Sequence, residues 1–128
     1  MIWAKPVKIT SMITVYGIPN CDTVKKARAW LDGKGIAHRF HDFKKLGVSA
    51  ELLQAWSEAV GWQRLLNRQG STWRKLDPAV QAVACDSTGA CALMAQQPSL
   101  IKRPVVQWQG HLSVGFDAAD WEKHPVPS

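Results

Sequence analysis

One cysteine stands between a short β-prone run and a helical pattern, and that junction limits the architecture more than any other feature of the chain. The run Val15-Tyr16-Gly17-Ile18-Pro19-Asn20-Cys21-Asp22-Thr23-Val24-Lys25-Lys26-Ala27 reads as the end of a buried strand, a tight turn, a thiol and the first turn of a helix. Ile13-Thr14-Val15-Tyr16 is β-prone and is ended by Gly17 and Pro19. From Asp22 onward Val24, Ala27 and Leu31 recur at helical spacing with Trp30 beside them, while Lys25, Arg28 and Asp32 fall on the opposite side. Gly33 and Gly35 stop this helix. Residues 37–43 read as a second strand, and the β-α-β order implies a parallel pair joined by a right-handed crossover. A thiol at such a helix start lies near unpaired backbone N–H groups and the positive end of the helix dipole, which favours thiolate over thiol.

The middle of the chain turns helical. Ser49 is a candidate N-cap with Glu51 in the first turn, and Leu52 or Leu53, Trp56 and Val60 form the apolar stripe of the helix that follows. Residues 61–76 read as short helical pieces broken by Gly70, with Trp62, Leu65, Leu66 and Trp73 pointing inward. Asp77-Pro78 is a cap followed by proline at the first helical position, opening a piece through Val80 and Val83. Ser87 or Thr88 opens another through Leu93 and Met94, ending before Pro98. Strand character then returns in residues 104–108 and 111–116, where Val106/Trp108 and Leu112/Val114/Phe116 alternate and Gly110 supplies the positive φ of a hairpin turn. Asp117 caps a closing helix through Lys123. The expected fold is α/β, in the order β-α-β, a helical insertion at about 48–98, then β-β-α. Residues 1–11 are expected as a loose extension, with Met12 as an alternative start, and residues 12–128 as one domain.

Composition narrows the function. A chain of 128 residues with 46% hydrophobic and 20% charged residues has the make-up of one globular domain. No apolar run approaches the roughly 18 residues of a membrane span. The formal charge of +6 comes from scattered lysines and arginines with acidic residues between them, which describes a solvated basic surface better than a nucleic-acid interface. Cys21, Cys85 and Cys91 are an odd set in a short chain, unlike a secreted disulfide framework, and Met1–Ser11 is too short and too polar to be a secretory signal. A reducing cytoplasm is the expected compartment. Cys85 and Cys91 do not form a zinc pattern, so no metal is expected, and packing or a surface thiol is the reading for both. His38, His41, His111 and His124 lie away from the cysteine turn and name no general base, and the seven tryptophans are spread as packing residues.

Two motifs add a resemblance. The Tyr16–Ala27 run, together with Leu100-Ile101-Lys102-Arg103-Pro104-Val105-Val106 and Val114-Gly115-Phe116, resembles the ArsC/Spx family, and within it the YffB-like branch of glutathione-dependent thiol reductases. The resemblance implies a thioredoxin-like fold of the ArsC type, Cys21 as a redox thiol and a cis bond before Pro104. Val24 stands where the second cysteine of a Cys-x-x-Cys pair would be. A monothiol must borrow its resolving sulfur, and the expected donor is glutathione, a co-substrate rather than a permanently bound cofactor. The thiolate- and anion-binding candidates are Asn20, Thr23 by its hydroxyl, the N–H groups of Thr23 and Val24, Arg103, Pro104 and Arg68. The resemblance also raises arsenate reduction, for which three arginines are expected. Arg103 matches one, the second position falls on Asn67 with Arg68 one residue later, and the third falls near Gly115. A further alternative is an Spx-like regulator that binds RNA polymerase, although Val24 removes the Cys-x-x-Cys switch of that group. Glutathione is the expected partner, with glutaredoxin or a protein disulfide beside it; no direct nucleic-acid or membrane contact and a monomeric state are expected.

Overall fold

The computed structural model describes residues 2–4, 13–108 and 111–123. These divide into two compact units: one built from the described residues up to Asp42 and from Arg103 onward, the other from Phe43–Lys102. The first unit carries the sheet, the second is helical, and the helical stretch is somewhat wider than the 48–98 expected.

In the sheet unit, β1 (Ile2–Ala4), β2 (Ile13–Gly17), β3 (His38–Asp42), β4 (Val105–Trp108) and β5 (His111–Val114) lie in the order β1-β5-β4-β2-β3. β2 and β3 are parallel, in register Ile13↔His38 to Gly17↔Asp42, and α1 (Asp22–Gly33) joins them. β4 runs antiparallel to β2 and to β5. Strand β1 lies within the stretch expected as a loose extension, where it adds to the sheet by antiparallel pairing of Ile2 with Val114 and Ala4 with Leu112. Three residues are too few for alternation to show, and the edge of β5, distant in sequence, sets their register. The hairpin turn expected at Gly110 lies outside the described residues.

The apolar spacing read from the sequence becomes the core. Ile13, Val15, Val106 and Trp108 from the sheet cluster with Ala27 and Leu31 of α1, with Ile36, and with Trp121 of α8 (Ala118–Lys123). Trp121 is fully buried and stands edge-on to Trp30, Trp108 and Phe116, with ring centroids at 5.2, 4.8 and 4.7 Å. Such T-shaped pairs contribute about 0.5–1.5 kcal/mol each beyond their buried area. The one indole N–H of Trp108 donates to the buried Ser113 hydroxyl at 2.8 Å. Asp117 caps α8 as expected, its Oδ1 accepting from Ala119 N–H. At the other end of the crossover helix, Gly35 has φ +69. Ile36 N–H reaches Leu31 carbonyl and Gly35 N–H reaches Asp32 carbonyl; this is the paired closure that a left-handed residue just past a helix permits.

The helical unit opens with a short turn of helix not anticipated from the sequence, α2 (Phe43–Leu46), because Phe43 reads equally well as the end of β3. It continues with α3 (Ala50–Val60), α4 (Trp62–Leu65), α5 (Ser71–Arg74), α6 (Pro78–Gln81) and α7 (Ser87–Gln96), then a 3-10 turn at Pro98–Leu100. Ser49 caps α3 through Leu52 N–H and Asp77 caps α6 through Ala79 N–H. The cap of α7 is Asp86, which accepts from Gly89 N–H at 2.8 Å. Of the stripe residues, Leu53, Trp56 and Val60 are buried, with Leu65, Leu66 and Met94. Trp62 and Trp73, expected to point inward, are only half-buried, and Val83, expected in the stripe of α6, lies beyond it and is exposed. Leu66 and Ile101 form an antiparallel bridge, flanked by Asn67 N–H to Leu100 carbonyl and Lys102 N–H to Leu65 carbonyl, both 2.8 Å. Among the described residues no helix is long and apolar enough to cross a membrane.

Candidate functional site

Cys21 is the N-cap residue of α1, with extended backbone angles (φ −84°, ψ 124°). The turn before it is closed by its own N–H donating to Ile18 carbonyl at 3.1 Å, and its carbonyl accepts from Lys25 N–H at 2.9 Å. This placement leaves the sulfur facing the unpaired donors of the first helical turn. Burial pushes the thiol up, but four contributions pull it down: the N–H of Val24, hydrogen bonding by Arg103, the N–H of Thr23 and the positive charge of Arg103. The balance holds Cys21 below its ordinary value. Two backbone N–H groups and one guanidinium thus favour the thiolate, although the Cys21 side chain makes no cap hydrogen bond to the helix. The contribution of Thr23 comes from its backbone rather than the hydroxyl considered from the sequence.

Val24 occupies the helical position where a local resolving cysteine would stand, and it is completely buried. Its neighbour explains a glycine that the sequence suggested only as a strand terminator. A Cβ on Gly17 would lie 2.7 Å from Val24 Cγ2, so the absence of a side chain at the end of β2 lets the first turn of α1 seat closely. That seating fixes the Val24 N–H that faces the sulfur. A glycine immediately before a Cys-containing turn is the signal that could have revealed this role.

Arg103 and Pro104 open the return of the chain into β4. The bond between them is cis, and Pro104 carbonyl accepts from Gly115 N–H at 2.8 Å. Gly115 has φ +92, a conformation that side chains with a Cβ avoid. The third arginine position of the arsenate-reducing pattern thus falls on backbone that disfavours arginine. Asn20 is exposed in the turn before Cys21. Cys21, Thr23, Val24 and Arg103 are brought together around one sulfur, with Pro104 next to Arg103 in the chain.

Arg68 belongs to the helical unit. Its guanidinium lies over the ring of Trp62 at 5.4 Å and over that of Trp73 at 5.8 Å. Asn67, at the ungapped arginine position, uses its side chain to accept from Gln69 N–H at 3.1 Å. Arg74 donates to Gln69 carbonyl, and Gln81 donates to Trp73 carbonyl at 2.8 Å, so the loop and the Trp73 backbone are both held. All three cysteines are free thiols; Cys85 is exposed and Cys91 is buried in α7. At β3, His38 Nδ1 lies 3.0 Å from Ile36 carbonyl and the ring of His41 lies against Tyr16. Among the described residues no group of three or more metal-ligating side chains is assembled.

Comparison with known proteins agrees with this geometry. The ArsC family model matches residues 16–124. The solved structure of the YFFB (PA3664) protein is 47% identical, covers 87% of this chain and 96% of its own, and superposes with a TM-score of 0.82. An arsenate reductase (ArsC) related protein from Brucella melitensis is also 47% identical, over 91% of this chain and 97% of that one, with a TM-score of 0.70. A global transcriptional regulator Spx from Streptococcus pyogenes is 27% identical over 108 residues, 83% of this chain and 79% of the regulator. The parallel β2–α1–β3 unit with antiparallel β4 and β5 is thioredoxin-like, of the ArsC type. With its helix-capping cysteine, its Arg-Pro pair and a family match across most of its length, the chain belongs to the ArsC family.

Proposed function

We propose that the protein is a thiol oxidoreductase in which Cys21 is the nucleophile and glutathione the co-substrate. The observation that carries the reading is the convergence of the Val24 and Thr23 N–H groups and Arg103 on the Cys21 sulfur, at a helix start with valine in place of a second cysteine. In the reaction, the Cys21 thiolate attacks the glutathionyl sulfur of a mixed disulfide R–S–S–G. The new S–S bond forms as the old one breaks, and RS⁻ leaves with the electron pair and takes a proton from solvent. A second glutathione thiolate then attacks the glutathionyl sulfur of the Cys21 adduct, releasing oxidised glutathione and restoring the thiolate. The net change is RSSG + GSH → RSH + GSSG. Arg103 steadies the charge that returns to the sulfur, the turn at Asn20 leaves the thiol approachable, and Pro104 forms part of the wall beside it. Glutaredoxin or a protein disulfide is the natural exchange partner, and a reducing compartment such as the cytoplasm suits the cycle.

Intact-mass measurement after incubation with oxidised glutathione tests this. One adduct mapping to Cys21, removed by reduced glutathione, is the expected result; an adduct confined to Cys85 or Cys91 overturns the reading. The Spx relative supports a second reading, docking on RNA polymerase as a regulator. Retention of polymerase subunits by the Cys21→Ser protein in a pull-down, with no glutathione adduct on the native chain, would favour it. Arsenate reduction has weaker support, because the position near the third arginine is Gly115 at φ +92; thiol consumption driven by arsenate in the presence of glutathione and glutaredoxin would restore it.

A further inference from the structure

We infer that the outer edge of β3 is a docking strand for an extended segment of a partner protein that carries two adjacent acidic residues. All of the features involved belong to the sheet unit. β3 closes one side of the five-stranded sheet and has a strand, β2, on one flank only. In an extended strand every second residue turns its N–H and C=O to the same side, so an edge strand offers a ladder that another chain can continue. Side chains alternate across β3 as well. His38 and Phe40 face α1: His38 Nε2 lies 3.9 Å from Asp32 Oδ1, and the Arg28 guanidinium lies over the Phe40 ring at 4.3 Å. Arg39 is exposed and, by the period of two, stands on the opposite face, where the His41 ring meets Tyr16.

Each face beside the edge thus carries one guanidinium. Among the described residues neither Arg28 nor Arg39 forms an ion pair. Stacking on Phe40 restricts Arg28 and leaves its N–H bonds, which lie in the plane, to meet an acceptor edge-on. That restriction lowers the entropy lost when a carboxylate is bound. Lys25, one helical turn before Arg28, is exposed and adds positive charge on the same side, while Asp32, one turn after it, is turned to His38. Successive side chains of an added strand point to opposite faces. Two acidic residues in a row therefore reach Arg28 and Arg39 together, whereas acids two apart both face one guanidinium. Asp42 ends β3, which sets the acidic pair opposite Arg39 and Phe40 rather than at the far end of the strand. A second copy of the chain fits poorly. Antiparallel pairing of two β3 strands about Phe40 would set the two Arg28 side chains against each other, and like charges placed opposite one another destabilise a sheet.

The test titrates the full chain with a capped peptide, Thr-Val-Glu-Glu-Val-Thr, which has no thiol, and follows the backbone amide signals of β3 by NMR. The expected result is saturable movement of these signals, weakened about fivefold by Arg28→Ala and about fivefold by Arg39→Ala, and weakened further by added salt. The peptide Thr-Glu-Val-Glu-Val-Thr, with both acids on one face, binds about fivefold less well. N-methylation of the peptide separates strand pairing from charge attraction. Methylated on one set of alternate residues it loses binding, and on the other set it binds as before. Stationary β3 signals, equal binding of the two methylated peptides, or undiminished affinity in either arginine variant would each overturn the inference. A concentration-dependent dimer in sedimentation, with β3 signals that move on dilution, would also overturn it and give the edge to a second copy.

Discussion

At the scale of single residues, the state of one proton decides the chemistry. Burial works against the Cys21 thiolate, and the Val24 N–H, Arg103 and the Thr23 N–H together outweigh it. Replacing Arg103 with alanine removes both a hydrogen bond and a charge. The pH at which alkylation of Cys21 by iodoacetamide reaches half its maximal rate should therefore move up, toward about 8.5 for a free thiol. An unmoved midpoint would take Arg103 out of the site. The same balance makes a statement about folding. Because the thiol is depressed in the folded protein, its contribution to stability is fully present above the unfolded value and fades as pH falls through the folded one. The native chain should accordingly gain stability over Cys21→Ser as pH rises across that interval, measured by urea midpoints. The placement of Cys21 at a helix start was readable because a thiol between a Gly/Pro turn and a helical repeat has few other positions to take, whereas Arg103 was singled out only through the Arg-Pro motif of the family resemblance. The steric role of Gly17 was not readable, since it depends on how closely Val24 approaches from the next element.

At the scale of elements, the glycines separate sharply by what surrounds them. Gly17→Ala would drive a methyl against the buried, β-branched Val24, whose rotamer in a helix is stiff. A loss of about 1–3 kcal/mol is expected, accompanied by slower alkylation of Cys21 as the first turn of α1 is displaced. Adding Val24→Ala should recover part of the packing loss, a non-additivity that a double-mutant cycle measures. Gly33 has open space around it, and Gly33→Ala should stabilise by about 0.4–1 kcal/mol. The centre of the sheet unit is Trp121, and Trp121→Ala should cost about 3–5 kcal/mol, read from the shift of the urea midpoint. Local signals made α1, β3 and the caps at Ser49, Asp77 and Asp117 legible. Elements decided by distant neighbours were not: β1 takes its place from β5, α2 merges in sequence with β3, and the α7 cap falls one residue before the serine that seemed to provide it.

At the scale of the whole molecule, the charge of +6 acts beyond any one contact. A cationic protein with a guanidinium on its thiolate should favour anionic reagents. The rate of Cys21 alkylation by iodoacetate relative to iodoacetamide should exceed that of a free thiol and decline with added salt, as screening shortens the reach of the charges to about 10 Å at 0.1 M. A ratio independent of salt would confine the electrostatics to Arg103 alone.

The two ends of the helical unit also meet. α2 packs against the 3-10 turn at Pro98–Leu100, and Leu66 is bridged to Ile101 just before the chain leaves for β4. Pairing β2 with β4 joins residues as remote as Thr14 and Gln107, a closure that an unstructured intervening chain would make slow and entropically costly. Once residues 43–102 have folded, the effective length of that loop collapses to the gap between neighbouring ends, and β4 is delivered near its partner. Order of assembly is thereby written into the connection. Gly89→Ala, whose added methyl would collide with the Val83 carbonyl within the helical unit, should slow formation of the sheet as well as weaken its own helices, whereas Trp121→Ala should chiefly speed unfolding.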